Sequence, residues 1–154
     1  MKNVIRLFSL FISLIYFVAC GESTNKPEKR YLYFENGNTR REYEVIKDKK
    51  EGIMTDFYPD GKKKSERFFK NDTQTGKTAI YHPNGNIKEV QYFDNIGMRE
   101  KGDTLWYENG NMEYIAQFSN NMKNGLMTKF DSNQNAIYKA IFKDDSLVKV
   151  LNDY

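Results

Sequence analysis

Cysteine is almost absent from this chain: Cys20 is the only one in 154 residues. With no cysteine after it, a disulfide framework is excluded. Histidine is equally scarce. His82 stands alone, so a histidine-pair zinc site and the usual Ser-His or Cys-His couples lack their parts. The glycines recur singly rather than clustering before a helix, which excludes a phosphate-cradling loop. Asp94-Asn95 and Asp144-Asp145 lack the spacing of a calcium loop. A basic stripe is missing too: 24 Lys and Arg stand against 21 Asp and Glu, interspersed, for a net charge of +3. No nucleic-acid partner is expected from that pattern. Carboxylates are frequent (Glu35, Glu42, Glu66, Glu89, Glu108, Glu113, Asp144, Asp145). They show no distinctive spacing, although any two could meet across strands. No catalytic residues, metal site or cofactor are expected, and the chain is read as a non-enzyme.

Long apolar runs are lacking beyond the N-terminus. Lys2 and Arg6 precede a mostly apolar stretch from Leu7 to Ala19. A membrane-spanning helix needs roughly 20 apolar residues, so this stretch has the length of a signal-peptide core. It ends in Phe17-Val18-Ala19-Cys20, followed by Gly21. That ending resembles a bacterial lipobox, with Phe17 where Leu is usual. The resemblance implies a diacylglyceryl thioether on Cys20 and cleavage before it. The alternatives are an uncleaved anchor or a plain secretory signal ending near Ala19. Residues 1–19 are thus read as signal peptide. Residues 20–30, polar and containing Pro27, are read as the lipidated cysteine and a flexible tether. Loss of Lys2 and Arg6 would leave a charge of about +1. Two or more acyl chains suffice for stable membrane attachment.

Residues 31–154 are periodic. Gly37, Gly61, Gly85 and Gly110 are spaced 24, 24 and 25 residues apart. An aromatic lies four residues before each (Tyr33, Phe57, Tyr81, Trp106), and Asn36, Asp60, Asn84 or Asn109 immediately before each. Val45, Phe69, Phe93 and Phe118 lie eight residues after. A fifth copy continues with Phe130, Asn133 and Phe142, Gln134 replacing the glycine. Asn-Gly and Asp-Gly tolerate the positive φ of tight hairpin turns, and the flanking segments alternate with period two, as strands do. The polar stretches around Gly52, Gly76, Gly102 and Gly125 are expected to be longer hairpin connections. The Asp94–Gly102 stretch is the least regular, with Gly97 offering a second register. The expected fold is all-β: an antiparallel meander of about ten strands in five tandem hairpin repeats, an elongated, open, twisted sheet. Charged residues near positions 40 and 143 are expected to blunt its edges.

A second slot lies three residues before each turn glycine: Phe34, Tyr58, His82, Tyr107. Adjacent strand positions face opposite ways. If Phe57, Tyr81 and Trp106 face the packed side, the second slot forms a candidate binding ladder on the other. The competing reading is that a thin sheet needs aromatic cover on both faces, with His82 an ordinary turn-flanking residue.

Gly52-Ile-Met-Thr-Asp-Phe-Tyr-Pro-Asp-Gly61, Gly76-Lys-Thr-Ala-Ile-Tyr-His-Pro-Asn-Gly85 and Trp106-Tyr-Glu-Asn-Gly110 resemble the variant MORN repeat, over roughly residues 31 to 143. The chain is similar in this to the YwqK-family antitoxin group. The resemblance implies a hairpin-repeat sheet and a binding or scaffolding role. Together with the lipobox it implies an exported lipoprotein of the bacterial cell envelope. Its expected partners are the membrane, through the anchor, and an unidentified protein or envelope glycan. An antitoxin or immunity role is the alternative.

Overall fold

The computed structural model describes residues 25–151. Eleven strands follow one another: β1 (Glu28–Tyr33), β2 (Thr39–Ile46), β3 (Lys49–Phe57), β4 (Lys63–Lys70), β5 (Thr73–Tyr81), β6 (Ile87–Phe93), β7 (Arg99–Trp106), β8 (Met112–Ser119), β9 (Met122–Phe130), β10 (Ala136–Lys143) and β11 (Ser146–Val150). They form one antiparallel sheet in sequence order, open between β1 and β11. Extensive contacts join only strands adjacent in sequence, so the sheet is a single layer. No helix occurs among the described residues. The all-β meander is as expected, with one strand more than the anticipated ten.

That extra strand has a simple cause. Asp144 and Asp145 were expected to blunt an edge; they form a tight turn with φ 49° and 62°, which returns the chain along β10. The charged residues near position 40 belong to β2, the second strand, not to an edge. At the other end β1 begins at Glu28, inside the stretch read as tether. Lys29 pairs there with Glu42 at 3.0 Å, and Arg30 with Asp48 at 2.6 Å.

The two ends of the hairpins are built differently. At one end each turn spans five residues: Phe34–Asn38, Tyr58–Lys62, His82–Asn86, Tyr107–Asn111 and Asp131–Asn135. The first residue's N–H bonds the fifth carbonyl, and the fourth N–H bonds the first carbonyl. This is a type I turn closed by a left-handed bulge residue. That residue is Gly37, Gly61, Gly85, Gly110 or, in the last copy, Gln134, with φ from 69° to 93°. Asn36, Asp60, Asn84 and Asn109 do not adopt positive φ. Each side chain instead accepts the N–H two residues on, at 2.9 to 3.1 Å.

At the opposite end the expected longer loops are two-residue turns. Lys47-Asp48, Asn71-Asp72, Asn120-Asn121 and Asp144-Asp145 all have φ between 49° and 68°, as a type I′ hairpin requires. Asn and Asp tolerate this region, so no glycine is needed. The second glycine series therefore lies inside strands. Gly52, Gly76 and Gly125 have positive φ and fall where the register shifts against the preceding strand. A Cβ on Gly125 would run into the Gln117 amide. One connection breaks the pattern: Asp94–Met98 is a five-residue turn with Gly97 at φ 85°. It absorbs the extra residue of the fourth copy.

The register separates two faces. Arg41, Asp56, Ser65, Ile80, Glu89, Leu105, Tyr114 and Lys129 are successive partners across the sheet. Their face also carries the buried Val45, Met54, Phe69, Thr78, Asp103, Ala116, Phe118, Met127 and Ala140. The opposite face carries Ile53, Thr55 and Phe57 and their equivalents. It is mostly half-buried, with the buried Ala79, Val90 and Thr128 along its middle, and Ile53 is 59 % exposed. The packed side is thus the reverse of the one assumed for Phe57, Tyr81 and Trp106. Period two separates faces but does not say which is better covered. The cover on the packed face comes partly from cations: Lys50 lies over Phe69, Arg99 over Phe118 and Lys123 over Phe142, at 4.6 to 5.3 Å from the ring centres.

Gly85→Ala is expected to cost about 1 kcal/mol, because φ is 93° though no atom obstructs a Cβ. Gly102→Ala, also unobstructed but without positive φ, is expected to change stability by less than about 0.5 kcal/mol. Urea unfolding of both variants checks the contrast.

Candidate functional site

Cys20, the expected lipidation site, lies outside the described residues. The second aromatic slot lies within them, and its geometry is specific. Tyr58 donates its hydroxyl to the Tyr81 carbonyl at 2.7 Å, and Tyr107 to the Phe130 carbonyl at 2.8 Å. His82 donates through Nε2 to the Trp106 carbonyl at 2.8 Å. Each polar ring tip reaches the first-slot aromatic of the next repeat. His82 is buried, and Phe34, Tyr58 and Tyr107 are half-buried. Phe34 has the ring without a donor. The row is a set of bonds between repeats, which accounts for its aromatics without a ligand.

The turns are tied in the same direction. Asn36 and Asn38 both donate to the Pro59 carbonyl. Lys62 donates to Pro83 at 3.0 Å. Asn84 and Asn86 donate to Glu108, each at 2.8 Å. Asn109 and Asn111 donate to Ser132. The residue after each turn glycine was not singled out from the sequence, yet Asn38, Asn86, Asn111 and Asn135 repeat at the same period. At the opposite end, Lys50 N–H bonds Asp72 Oδ1 at 2.9 Å while Asp72 N–H bonds the Lys50 carbonyl at 3.0 Å. Arg99 with Asn121, and Lys123 with Asp145, form the same two-bond clip.

Two polar groups on the packed face stand apart from this framework. Asp103 is 3 % exposed, lies 3.2 Å from Arg99 and has Oδ1 without a protein partner. Burial and then the charge of Glu89, against the opposing pull of Arg99, push its carboxyl up to about 6. Burial, followed by the Asp103 charge, pushes Tyr114 up to about 12. Glu89 was among the candidate carboxylates; Asp103 was not, because its neighbour comes from the register between β6 and β7.

The second is Asp56, gripped by Arg41 Nε at 2.5 Å, by Arg67 Nη2 and by the Ser65 hydroxyl at 3.0 Å. Burial opposes its charge, but the Arg41 hydrogen bond and the charges of Arg67 and Arg41 hold the carboxyl below its ordinary value. Arg67 Nε is buried and unpartnered. These groups wall one end of an open groove of about 510 Å³ that also meets Lys64, Gln74, Thr78, Ile80, Gln91 and Phe93. Among the described residues no group of three or more His, Cys, Asp or Glu could hold a metal ion.

Tyr107→Phe should destabilise the fold by about 1 kcal/mol, since the Phe130 carbonyl loses its side-chain donor. Phe34→Tyr should stabilise it by up to about 1 kcal/mol if the hydroxyl meets the Phe57 carbonyl. Thermal unfolding of the two variants tests the row, and unchanged transitions would refute it. For Asp103 the folded chain holds a proton more tightly than the unfolded chain, whose carboxyl titrates near 3.8. The resulting stability is complete below that value and is lost as pH rises through about 6. Asp103→Asn should therefore gain on the parent chain by roughly 2–3 kcal/mol between pH 4 and pH 7.5. Parallel stability profiles for the two chains would contradict this.

Residues 50–71, 74–95 and 104–120 match the family described as MORN repeat variant. No curated protein matches the chain. The matched segments are copies of one hairpin unit whose turns, aromatic row and clips recur on either side of them, so over these three segments the sheet is similar to the MORN repeat variant.

Proposed function

We propose that this protein is a non-catalytic binding or scaffolding module, exported and held at a bacterial membrane by lipid on Cys20. One observation carries the modular part. The recurring residues of the array are engaged with the array itself: turn glycines set φ, turn amides bond the next turn, and slot rings bond the next repeat. The positions left free to vary lie on two long accessible faces of a single-layer sheet, a shape suited to surface recognition. MORN-type repeats point to the same coarse role. The anchored part rests on Lys2, Arg6, the apolar run and Val18-Ala19-Cys20-Gly21, together with the lack of any disulfide-forming cysteine pair. Among the described residues, no helix is long and apolar enough to cross a membrane.

Cells producing the full chain should incorporate labelled palmitate into it and retain it in the membrane fraction. Cys20→Ala should incorporate none and leave that fraction. Label persisting on Cys20→Ala would sink the anchoring proposal while leaving the repeat module untouched.

A further inference from the structure

The groove beside Asp56 sits where the array departs from its own pattern. In three copies a cationic side chain covers the ring that follows the turn by eight residues: Lys50 over Phe69, Arg99 over Phe118, Lys123 over Phe142. In the remaining copy the corresponding pair is Gln74 and Phe93, partners in position but with no cation present. Gln74 turns its amide to Thr78 Oγ1 at 2.9 Å, and Phe93 lines the groove. The same copy lacks the two-bond clip. Its turn carries the one-residue insertion, and Gly97 packs close to Thr73 and Gln74, a Cβ there meeting Thr73 Cγ2 at 3.2 Å. Two irregularities of an otherwise repeating sheet therefore adjoin at Gln74 and Phe93, which line the groove, the inserted turn lying just beyond them.

The opposite wall is cationic beyond what the structure neutralises. Arg41 and Arg67 share the single carboxylate Asp56. Lys64 stands at the rim, over the Tyr58 ring. Each guanidinium carries five N–H donors. Asp56 accepts from one nitrogen of each, and Arg67 Nε remains buried without a partner.

We propose that this groove binds a carboxylate-bearing saccharide. Arg41, Arg67 and Lys64 would take the acid, Gln74 and Gln91 the ring hydroxyls, and Phe93 the apolar face of the sugar. Guanidinium groups are suited to carboxylates, and side-chain amides offer both donors and acceptors to hydroxyls. Phe93, half-buried and lining the groove with no cation over it, supplies the flat apolar contact. The groove's volume of about 510 Å³ is that of small-molecule sites. A bare inorganic anion would use the arginine end and leave the amide and ring end without a role. The proposal rests on the binding-module reading and specifies its ligand.

The test is titration of the full chain by calorimetry with oligogalacturonate, with its methyl ester, and with phosphatidylglycerol vesicles. Oligogalacturonate should bind, and the uncharged ester should bind about tenfold more weakly or not at all. Arg67→Gln should weaken binding of the acid by about tenfold. Because that variant also disturbs the Asp56 cluster, Gln74→Met is paired with it. Gln74→Met places an uncharged chain over Phe93, where the other copies place a cation, and should weaken binding without lowering the thermal transition. Lys77→Gln, on the opposite face, should bind like the parent chain. Equal binding of acid and ester would overturn the proposal, as would full binding by Gln74→Met. Vesicle binding abolished by Arg67→Gln, with no saccharide bound, would overturn it in favour of a phospholipid headgroup. If neither probe binds, the groove assignment fails, while the anchored-module reading stands or falls separately on Cys20 labelling.

Discussion

A sheet with no second layer has nothing to lean on but its own neighbours, and this constraint governs the whole molecule. Strands that contact only the strands beside them cannot bury an apolar face against helices or another sheet. Stability must then be supplied laterally, hairpin to hairpin. The chain meets the constraint with hydrogen bonds that step by 21 to 24 residues at both ends of the strands. Each replaces a bond to water at a turn that would otherwise fray, and each is worth about 1 kcal/mol net. Their importance lies in repetition, because in a one-dimensional array the interface between units decides whether any unit folds.

The same logic explains the ends. The fifth copy has Asp131 in the slot that holds a ring elsewhere. A carboxylate has no proton to donate to a following carbonyl. Asp131 instead accepts from the N–H groups of Asn133 and Asn135 and from the Asn135 amide, all at 2.9 Å. Asn135 is thereby turned inward, whereas its counterparts Asn38, Asn86 and Asn111 reach forward. Gln134, in place of the glycine, reaches back to the Met112 carbonyl. The last turn thus closes on itself and on the preceding copy. β11 pairs with only the later half of β10. The fifth copy thus departs from the others by directing its turn side chains inward and backward.

How much of this was legible in sequence depends on whether a feature is local. Gly37, Gly61, Gly85 and Gly110 could be read as turns because positive φ is a property of one residue and its neighbours. Gly52, Gly76 and Gly125 were misplaced for an instructive reason. Asn and Asp, with Lys47, supply positive φ at the true turns, and the glycines instead serve bulges within the strands, each against the preceding strand. Tyr58, His82 and Tyr107 were visible as a row, but their role depends on a carbonyl 23 or 24 residues away. Strand alternation assigned them to a face and could not show that their tips point along the sheet. Asp103 carried no local signal at all; its burial and its neighbour Glu89 are products of register.

In a repeat protein, residues that recur are explained by recurrence, so the informative positions are those where a copy declines to repeat. Asp131 is one such departure, and its consequence is confined to the end of the array. Gln74 and the turn containing Gly97 are another, in the middle, where nothing needs to terminate. With Gln74 in place of the cation found at Lys50, Arg99 and Lys123, Phe93 lacks the cation–ring contact of its counterparts, a contact worth roughly 0.5–1 kcal/mol at exposed sites. The insertion at Asp94–Met98 forgoes the clip that three other hairpins make. Both changes alter the lateral interactions on which a single layer depends. The inserted turn is closed by Asp94, which accepts from the Ile96 and Met98 N–H groups, and the Asn121 amide reaches Met98 Sδ from the next copy. A lapse in packing beside two arginines that share one carboxylate is where the physics of the array yields to some other requirement, and recognition is the requirement such a surface can meet.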